Sequence, residues 1–418
     1  MKFKDLGMAN TSFLLRYIIT LLWPFFGLIH TLINFRSVHT KNIIWIFSAF
    51  YGLTMIMPEA NMDHDLIRYE RAFQNMVDQR HLPFWDIFSE PFNQGIYSAA
   101  DVYLILLNLV VSRITGDFRI FLMTVAIVFG YFYSRNITLI FDHYRPSHVR
   151  SYAILLIASI MLLYPFWSIG GYRFVTAAMI FSYGLLHFKV LNKKRYLIFI
   201  LISPLVHFTM ALGVVAFIIY SIIGDRLWLY IILLLVSFAF LRVNPENLNS
   251  QAELAPIFLQ GKIKGYTSQD YLKMVTNNTS IENWYVRGHF ISLQGSVLIL
   301  LALFLIKSEY YLTEILSKTL LCFGLFLYAI SNFITSVPGG SRFTVMAIFI
   351  ILISFLSIIV SEKKIPRFVR YLTIPLFLFF FIVKIRMGFD DTGLNTIFLN
   401  PFVALFFPDS PALIDFIK

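Results

Sequence analysis

The chain has 418 residues, 58% hydrophobic and 17% aromatic, with 45 Phe and only 14% charged residues. Soluble globular chains carry about a quarter charged residues, so this composition excludes an ordinary soluble domain and indicates an integral membrane protein. The net charge of +11 signals basic loops on one membrane face, and no Arg/Lys-rich arm interleaved with aromatics points to nucleic acid.

The apolar stretches are long enough to cross as helices, and membrane-spanning backbone must satisfy its own hydrogen bonds. The expected fold is therefore an all-α integral membrane protein. It is a polytopic helical bundle of about 11–13 membrane segments, some re-entrant or broken, forming one domain over 1–418. The basic start MKFKDLGMANTSFLLRYII is followed by no small-residue cleavage site, which reads as an uncleaved first helix. In chain order the segments are 13–34, broken by Pro24, and 42–58. A polar, amphipathic stretch follows at 59–96, then 97–114, 118–139, 151–168 and 173–190. The stretch 197–222 is split near Pro204 and His207; 227–242 precedes a polar loop, 243–288. Spans 290–307, 313–335, 343–360 and 370–386 lead to a mixed tail, 387–418, ending in an amphipathic piece. The single cysteine, Cys322, can form no internal disulfide.

Short loops rich in Lys and Arg mark the cytoplasmic side: Arg145 and Arg150; Lys189, Lys193, Lys194 and Arg195; Lys363, Lys364, Arg367 and Arg370. Counting from them places GGYRF (170–174), the loop 243–288 and PGGSRF (338–343) outside. Lys194 and Arg226 then share a side with about 26 residues between them, too many for one crossing of ~20 and too few for two. This predicts a pair of short helices that enter and return, with Ser203, Pro204 and His207 near the tip, beside Arg173. The same counting, with 97–114 and 118–139 as full crossings, puts 59–96 in the cytoplasm unless an early segment is re-entrant.

Ionisable residues at the ends of apolar runs are the candidate functional groups, because charge at that depth is costly to keep. In 61–73, Asp63, Asp65, Arg68 and Tyr69 form a carboxylate and guanidinium edge; the plain alternative is a solvated helix with local ion pairs. Arg173 follows two glycines at a helix start, where a cation opposes the macrodipole. A ligand phosphate would account for it, since guanidinium forks match phosphate oxygens; snorkelling to headgroups is the alternative. Arg342 in PGGSRF repeats the pattern, so the two form a candidate diphosphate clamp, with Tyr172 and Arg68 as further binding residues. His207 is either a packing residue or a general base or hydroxyl ligand. Trp284, Tyr285, Arg287 and His289 could stack on sugar and hold phosphate, or form an interfacial aromatic belt. Zinc spacing, a P-loop and GxGxxG are missing, so the expectation is metal-free chemistry without a cofactor.

DHDLIRYERAF after the second span, EPFNQGIY (90–97), GGYRFVTAAMI at a helix start, NKKRY and SPLVHFTMAL, in that order, resemble the EpsG family of Wzy-like bacterial polysaccharide polymerases. The resemblance covers roughly residues 40–222; beyond that only hydropathy agrees. It departs from the family at Phe174, where a polar residue is more usual, and at DHD, which leaves both Asp63 and Asp65 as the matching carboxylate. The resemblance implies a multi-pass protein of the bacterial cytoplasmic (inner) membrane, with its active site facing the periplasm or exterior. A glycan would pass from a polyprenyl-diphosphate donor to the non-reducing end of another lipid-linked unit of an O-antigen, capsule or exopolysaccharide, with inversion. His207 would be the first choice of base and Asp63 or Asp65 the second. Membrane lipid and a chain-length regulator protein are the expected partners. The rival readings are a lipid-linked oligosaccharide or polysaccharide transporter, disfavoured by the lack of internal repeats, and an O-antigen ligase-type transferase.

Overall fold

The computed structural model describes residues 14–35, 37–57, 65–93, 101–144, 151–240, 283–312, 314–335, 340–360 and 365–416. It is 86% helical, with no strands among the described residues. Among the described residues, six stretches are long and apolar enough to cross a membrane: Phe118–Leu139, Ser151–Leu191, Trp284–Ile306, Ile315–Ile334, Ser341–Ile359 and Arg367–Asp391. Ser151–Leu191 is interrupted by a 3-10 turn at Phe166–Gly171, so it contributes two helices.

The described residues begin with α1 (14–22) and α2 (Pro24–Ile33). They double back on each other: a Cβ at Gly27 would lie 2.8 Å from Thr20 Cα, whereas seven residues along one straight helix span ~10 Å. Arg16 Nη1 donates to Ser37 Oγ (2.8 Å), so both ends of the pair lie together. The expected crossing at 13–34 is thus corrected to a helical hairpin. Pro24 is the cause, because it has no N–H and disfavours the helical conformation at Trp23.

Helix α3 (Thr40–Thr54) runs up to the end of the bundle, here termed the upper end, at which the site lies. The helices α4 (Asp65–Asp78), α5 (Phe84–Asn93) and α6 (Val102–Ile114) remain there before α7 (Phe118–Tyr144) descends. α3 and α7 are antiparallel, joined by Arg135 Nη2 to Asn42 Oδ1 (2.8 Å), Trp45 Nε1 to the Ile127 carbonyl (2.8 Å) and Ser48 Oγ to the Ala126 carbonyl (3.0 Å). α6 has 13 residues, roughly 20 Å against a hydrocarbon core of about 30 Å. Asp101 before its first turn pairs with Arg173, and Gly116 just past its end accepts from Gln74 Nε2 on α4 (3.3 Å). Both ends of α6 therefore sit at the upper end. Of the two readings that the charge count left open, the re-entrant one fits: Val102–Ile114 returns to the end where it starts, and the described part of 59–96 packs against Tyr172, at the start of the helix that begins within GGYRF.

Helices α8 (Ser151–Leu163) and α9 (Tyr172–Leu191) flank the Phe166–Gly171 turn. Next come α10 (Leu197–Val206) and α11 (Met210–Ile223), the predicted enter-and-return pair. Tyr196 stacks on His187 near the lower end of α9 (4.6 Å), His207 meets Phe174 at its upper end (5.7 Å), and Tyr220 lies under Lys189 back at the lower end (5.3 Å). Pro204 leaves the Ile200 carbonyl without its helical donor, and the Ser203 hydroxyl takes that acceptor (2.7 Å). Helix α10 presses closely on α9 at Gly184, where a Cβ would lie 2.9 Å from Ile200 N and Tyr196 O. Gly184→Ala is therefore expected to destabilise the protein by about 1–3 kcal/mol, the usual cost of overpacking, read as a lowered midpoint of thermal unfolding in detergent.

Among the described residues there follow α12 (Leu227–Ser237), α13 (Trp284–Ile306), one helical turn at Ser308–Tyr311, α14 (Ile315–Ile334), α15 (Ser341–Val360) and α16 (Arg367–Asp391). α13 starts at Trp284, inside the segment 243–288 that the sequence reads as loop; this boundary is corrected, and residues 241–282 lie outside the described part. The tail, with α17 (Leu394–Phe398) and α18 (Pro401–Phe406), lies across the upper end. Thr396 Oγ1 meets Thr54 Oγ1 (2.8 Å), and Arg119 Nη1 donates to the Ala404 carbonyl (3.2 Å).

Candidate active site

The first turn of α9 carries Tyr172, Arg173 and Phe174 to the upper end, where α4, the start of α6 and the α10–α11 tip converge. Tyr172 is fully buried, its ring 4.7 Å from that of Tyr69 and 5.9 Å from that of Phe121. Its hydroxyl has no hydrogen-bond partner among the described residues. Arg173 donates from Nε to the Tyr69 hydroxyl (3.0 Å) and from Nη1 to Asp101 Oδ2 (2.5 Å). Its side chain keeps 27% exposure while that of Asp101 keeps 4%. A cation at a helix N-terminus is thus held by a buried carboxylate, which offsets the unfavourable macrodipole. Burial raises the Tyr69 phenol above its ordinary range, with the charge of Arg173 opposing and that of Asp65 adding to the shift; Tyr69 therefore stays a neutral hydroxyl.

Asp101 joins two elements. Its Oδ1 accepts from the Phe208 backbone N–H at the hairpin tip (3.1 Å) and lies 3.9 Å from His207 Nδ1. Asp is a preferred helix N-cap, yet the Asp101 side chain makes no capping bond to α6. Its oxygens face Arg173 and the tip instead. The sequence analysis did not single out Asp101. The available signal is a lone carboxylate at the start of an apolar run, which reads as an ordinary cap.

His207 is 3% exposed. The Thr209 backbone N–H donates to its Nδ1 (3.4 Å), which places the proton of the neutral ring on Nε2. The edge of Phe174 packs against the imidazole, and the Arg342 guanidinium lies 5.9 Å above the Phe174 ring. Phe174 therefore separates His207 from Arg342. The structure brings Tyr69, Tyr172, Arg173, His207 and Arg342 into one neighbourhood, with Asp101 between Arg173 and the hairpin tip.

Other candidates lie differently. Asp65 pairs with Arg68 one turn along α4, the local ion pair weighed from spacing, with side chains 32% and 55% exposed; such pairs contribute ~0–1 kcal/mol. Asp63 lies outside the described residues. Trp284 is 75% exposed and stacks on Phe379, and His289 stacks on Phe380 and is hydrogen-bonded to the Val286 carbonyl. These contacts tie α13, which also carries Arg287, to α16 and not to the Arg173 cluster. A cavity of about 820 Å³ opens at the lower end, lined by Asp225, Arg226, Trp228 and Lys318 among others. Asp225 there is bonded by Tyr220 and Thr319 in a structural network, so cavity size does not outweigh the convergence of groups around Arg173.

Fold and site together define a polytopic helical membrane protein in which a buried carboxylate holds a partly exposed guanidinium at one end of the bundle. The sequence model of the EpsG family matches residues 42–398, and the chain belongs to that family. The match extends well past 222 and includes Arg342, so the limit set by the sequence resemblance is corrected. No curated protein and no solved structure matches the chain. The family is polysaccharide-polymerase-like, and the chain's role lies in polysaccharide biosynthesis at a membrane.

Proposed function

We propose that the protein polymerises a surface glycan by transferring it from a polyprenyl-diphosphate donor to a hydroxyl at the non-reducing end of another lipid-linked unit. The observation that carries this reading is the meeting of Arg173, Asp101 and the His207–Phe208 tip, with Arg342 alongside. As the C1–oxygen bond breaks, both electrons stay on the departing diphosphate, whose charge Arg173 and Arg342 stabilise. The acceptor oxygen forms the new bond to C1 and its proton passes to His207, with inversion at C1. In the arrangement seen here Nδ1 is engaged by Thr209, so His207 must give up that bond to serve as base.

The short basic links at the lower end support an outward-facing site, although Arg68, Arg71, Arg80, Arg113 and Arg119 stand at the upper end. Lys41, Lys193, Lys194, Arg195, Arg226 and Arg367 gather at the lower end, in the short links and helix starts away from Arg173. Under the positive-inside rule that end faces the cytoplasm. The apolar bundle supplies lipid-facing surface for the polyprenyl chain.

The test is the purified protein in lipid, given a polyprenyl-diphosphate-linked repeat unit, with product length read on a gel. A ladder of lengthening products is expected from the wild type; unchanged starting material would overturn the reading. His207→Ala is expected to lower the yield roughly 10²-fold, the usual scale of a lost general base, at unchanged protein level. A normal ladder from this variant would remove His207 from the chemistry.

A further inference from the structure

We infer that Asp101 is a positioning residue that exchanges partners during the reaction. It neutralises Arg173 before the donor binds, then turns its charge on His207 once the donor's diphosphate takes the guanidinium. The inference rests on the reading of Arg173 as a diphosphate ligand. Three features carry it. The Asp101 side chain is nearly fully buried, so it must keep a partner for its charge. Its two oxygens are divided between Arg173 and the backbone of the hairpin tip. Among the described residues, the His207 imidazole is a second charge-capable group close by, with Nδ1 3.9 Å from Oδ1.

A guanidinium fork accepts a carboxylate or a phosphate on the same N–H groups, so Asp101 and the donor compete for Arg173. Arg173 keeps an exposed flank from which an anion can approach. When the diphosphate takes Nη1, Asp101 retains the Phe208 N–H and loses its counter-charge. A carboxylate without a partner at that distance favours the protonated imidazole. His207 then becomes a stronger proton acceptor at the stage when the acceptor hydroxyl must lose its proton. The exchange also gives a role to the burial of His207 and to the Thr209 N–H bond at its Nδ1. The base is held back until the leaving group is in place, which protects the donor from water.

The test compares the full-length wild type with Asp101→Asn in lipid, using inorganic pyrophosphate as the binding probe and the lipid-linked repeat unit as the substrate. Asparagine keeps the shape and an acceptor for Phe208 but removes the competing charge. Pyrophosphate is expected to bind Asp101→Asn about tenfold tighter, while kcat at saturating donor falls at least tenfold. A merely structural defect would not tighten anion binding while slowing turnover. Equal or weaker pyrophosphate binding by the variant, or an unchanged kcat, overturns the inference. Failure of pyrophosphate to bind the wild type as it polymerises overturns the ligand role of Arg173 instead. Should Asp101→Asn fail to accumulate, Asp101→Glu keeps the charge and shifts it by one methylene. Wild-type pyrophosphate affinity with a lowered kcat is then expected, and tighter binding would sink the idea.

Discussion

Arg173→Ala is expected to abolish polymer and leave single repeat units on their lipid carrier. Two effects act together in this variant. The leaving diphosphate loses a donor aimed at its developing charge, a loss on the order of 10²–10³ in rate. Asp101, 4% exposed, also loses its cationic partner; breaking a buried pair from one side costs about 3–5 kcal/mol. Loss of polymer from alanine alone could therefore reflect loss of protein. Arg173→Lys separates the two. Lysine keeps the charge beside Asp101 but has no planar fork with which to hold the Tyr69 hydroxyl while its remaining N–H groups pass from the carboxylate to a phosphate. Near-normal protein level with at least 10²-fold less polymer is expected, measured by membrane immunoblot beside a gel of chain lengths. Full-length polymer from Arg173→Lys would show that guanidinium geometry is not required.

Arg342→Ala is expected to give the same loss of polymer with none of the structural cost. Arg342 is exposed and lies over the face of Phe174, 5.9 Å away. Exposed substitutions of this kind usually change stability by no more than about 0.5 kcal/mol. The melting temperature in detergent should stay near wild type while the rate falls on the order of 10²-fold. Chain-length ladders like those of the wild type would break the two-arginine clamp and leave Arg173 alone at the diphosphate. The contrast between the variants is itself informative: a folding explanation covers Arg173→Ala and cannot cover Arg342→Ala.

Arg173, Arg342 and His207 were legible as candidates because ionisable groups at the ends of apolar runs are costly and stand out from their surroundings. The α10–α11 hairpin was legible from charge parity, since a stretch of about 26 residues between two basic loops fits neither one crossing nor two. Asp101 was hidden by its own ordinariness, because an Asp before a helix reads as a cap until its oxygens are seen facing elsewhere. The aromatic and basic group at Trp284, Arg287 and His289 read equally well as a sugar lid or as a belt, and its described packing is against α16.

The amino-acid sequence by itself determined that this is a helical membrane protein, which end of most helices carries the basic loops, and the order of the motifs that mark the family. Those properties are local: hydropathy, charge and spacing act within a segment and need no partner from elsewhere. Only the tertiary structure decided that 14–33 turns back on itself, that Val102–Ile114 stays at the end where it starts, and that Asp101 reaches both Arg173 and Phe208. A short apolar helix has the same composition whether it crosses or returns. A carboxylate's partner is set by which helix ends the packing brings together, across 72 residues for Arg173 and 107 for Phe208.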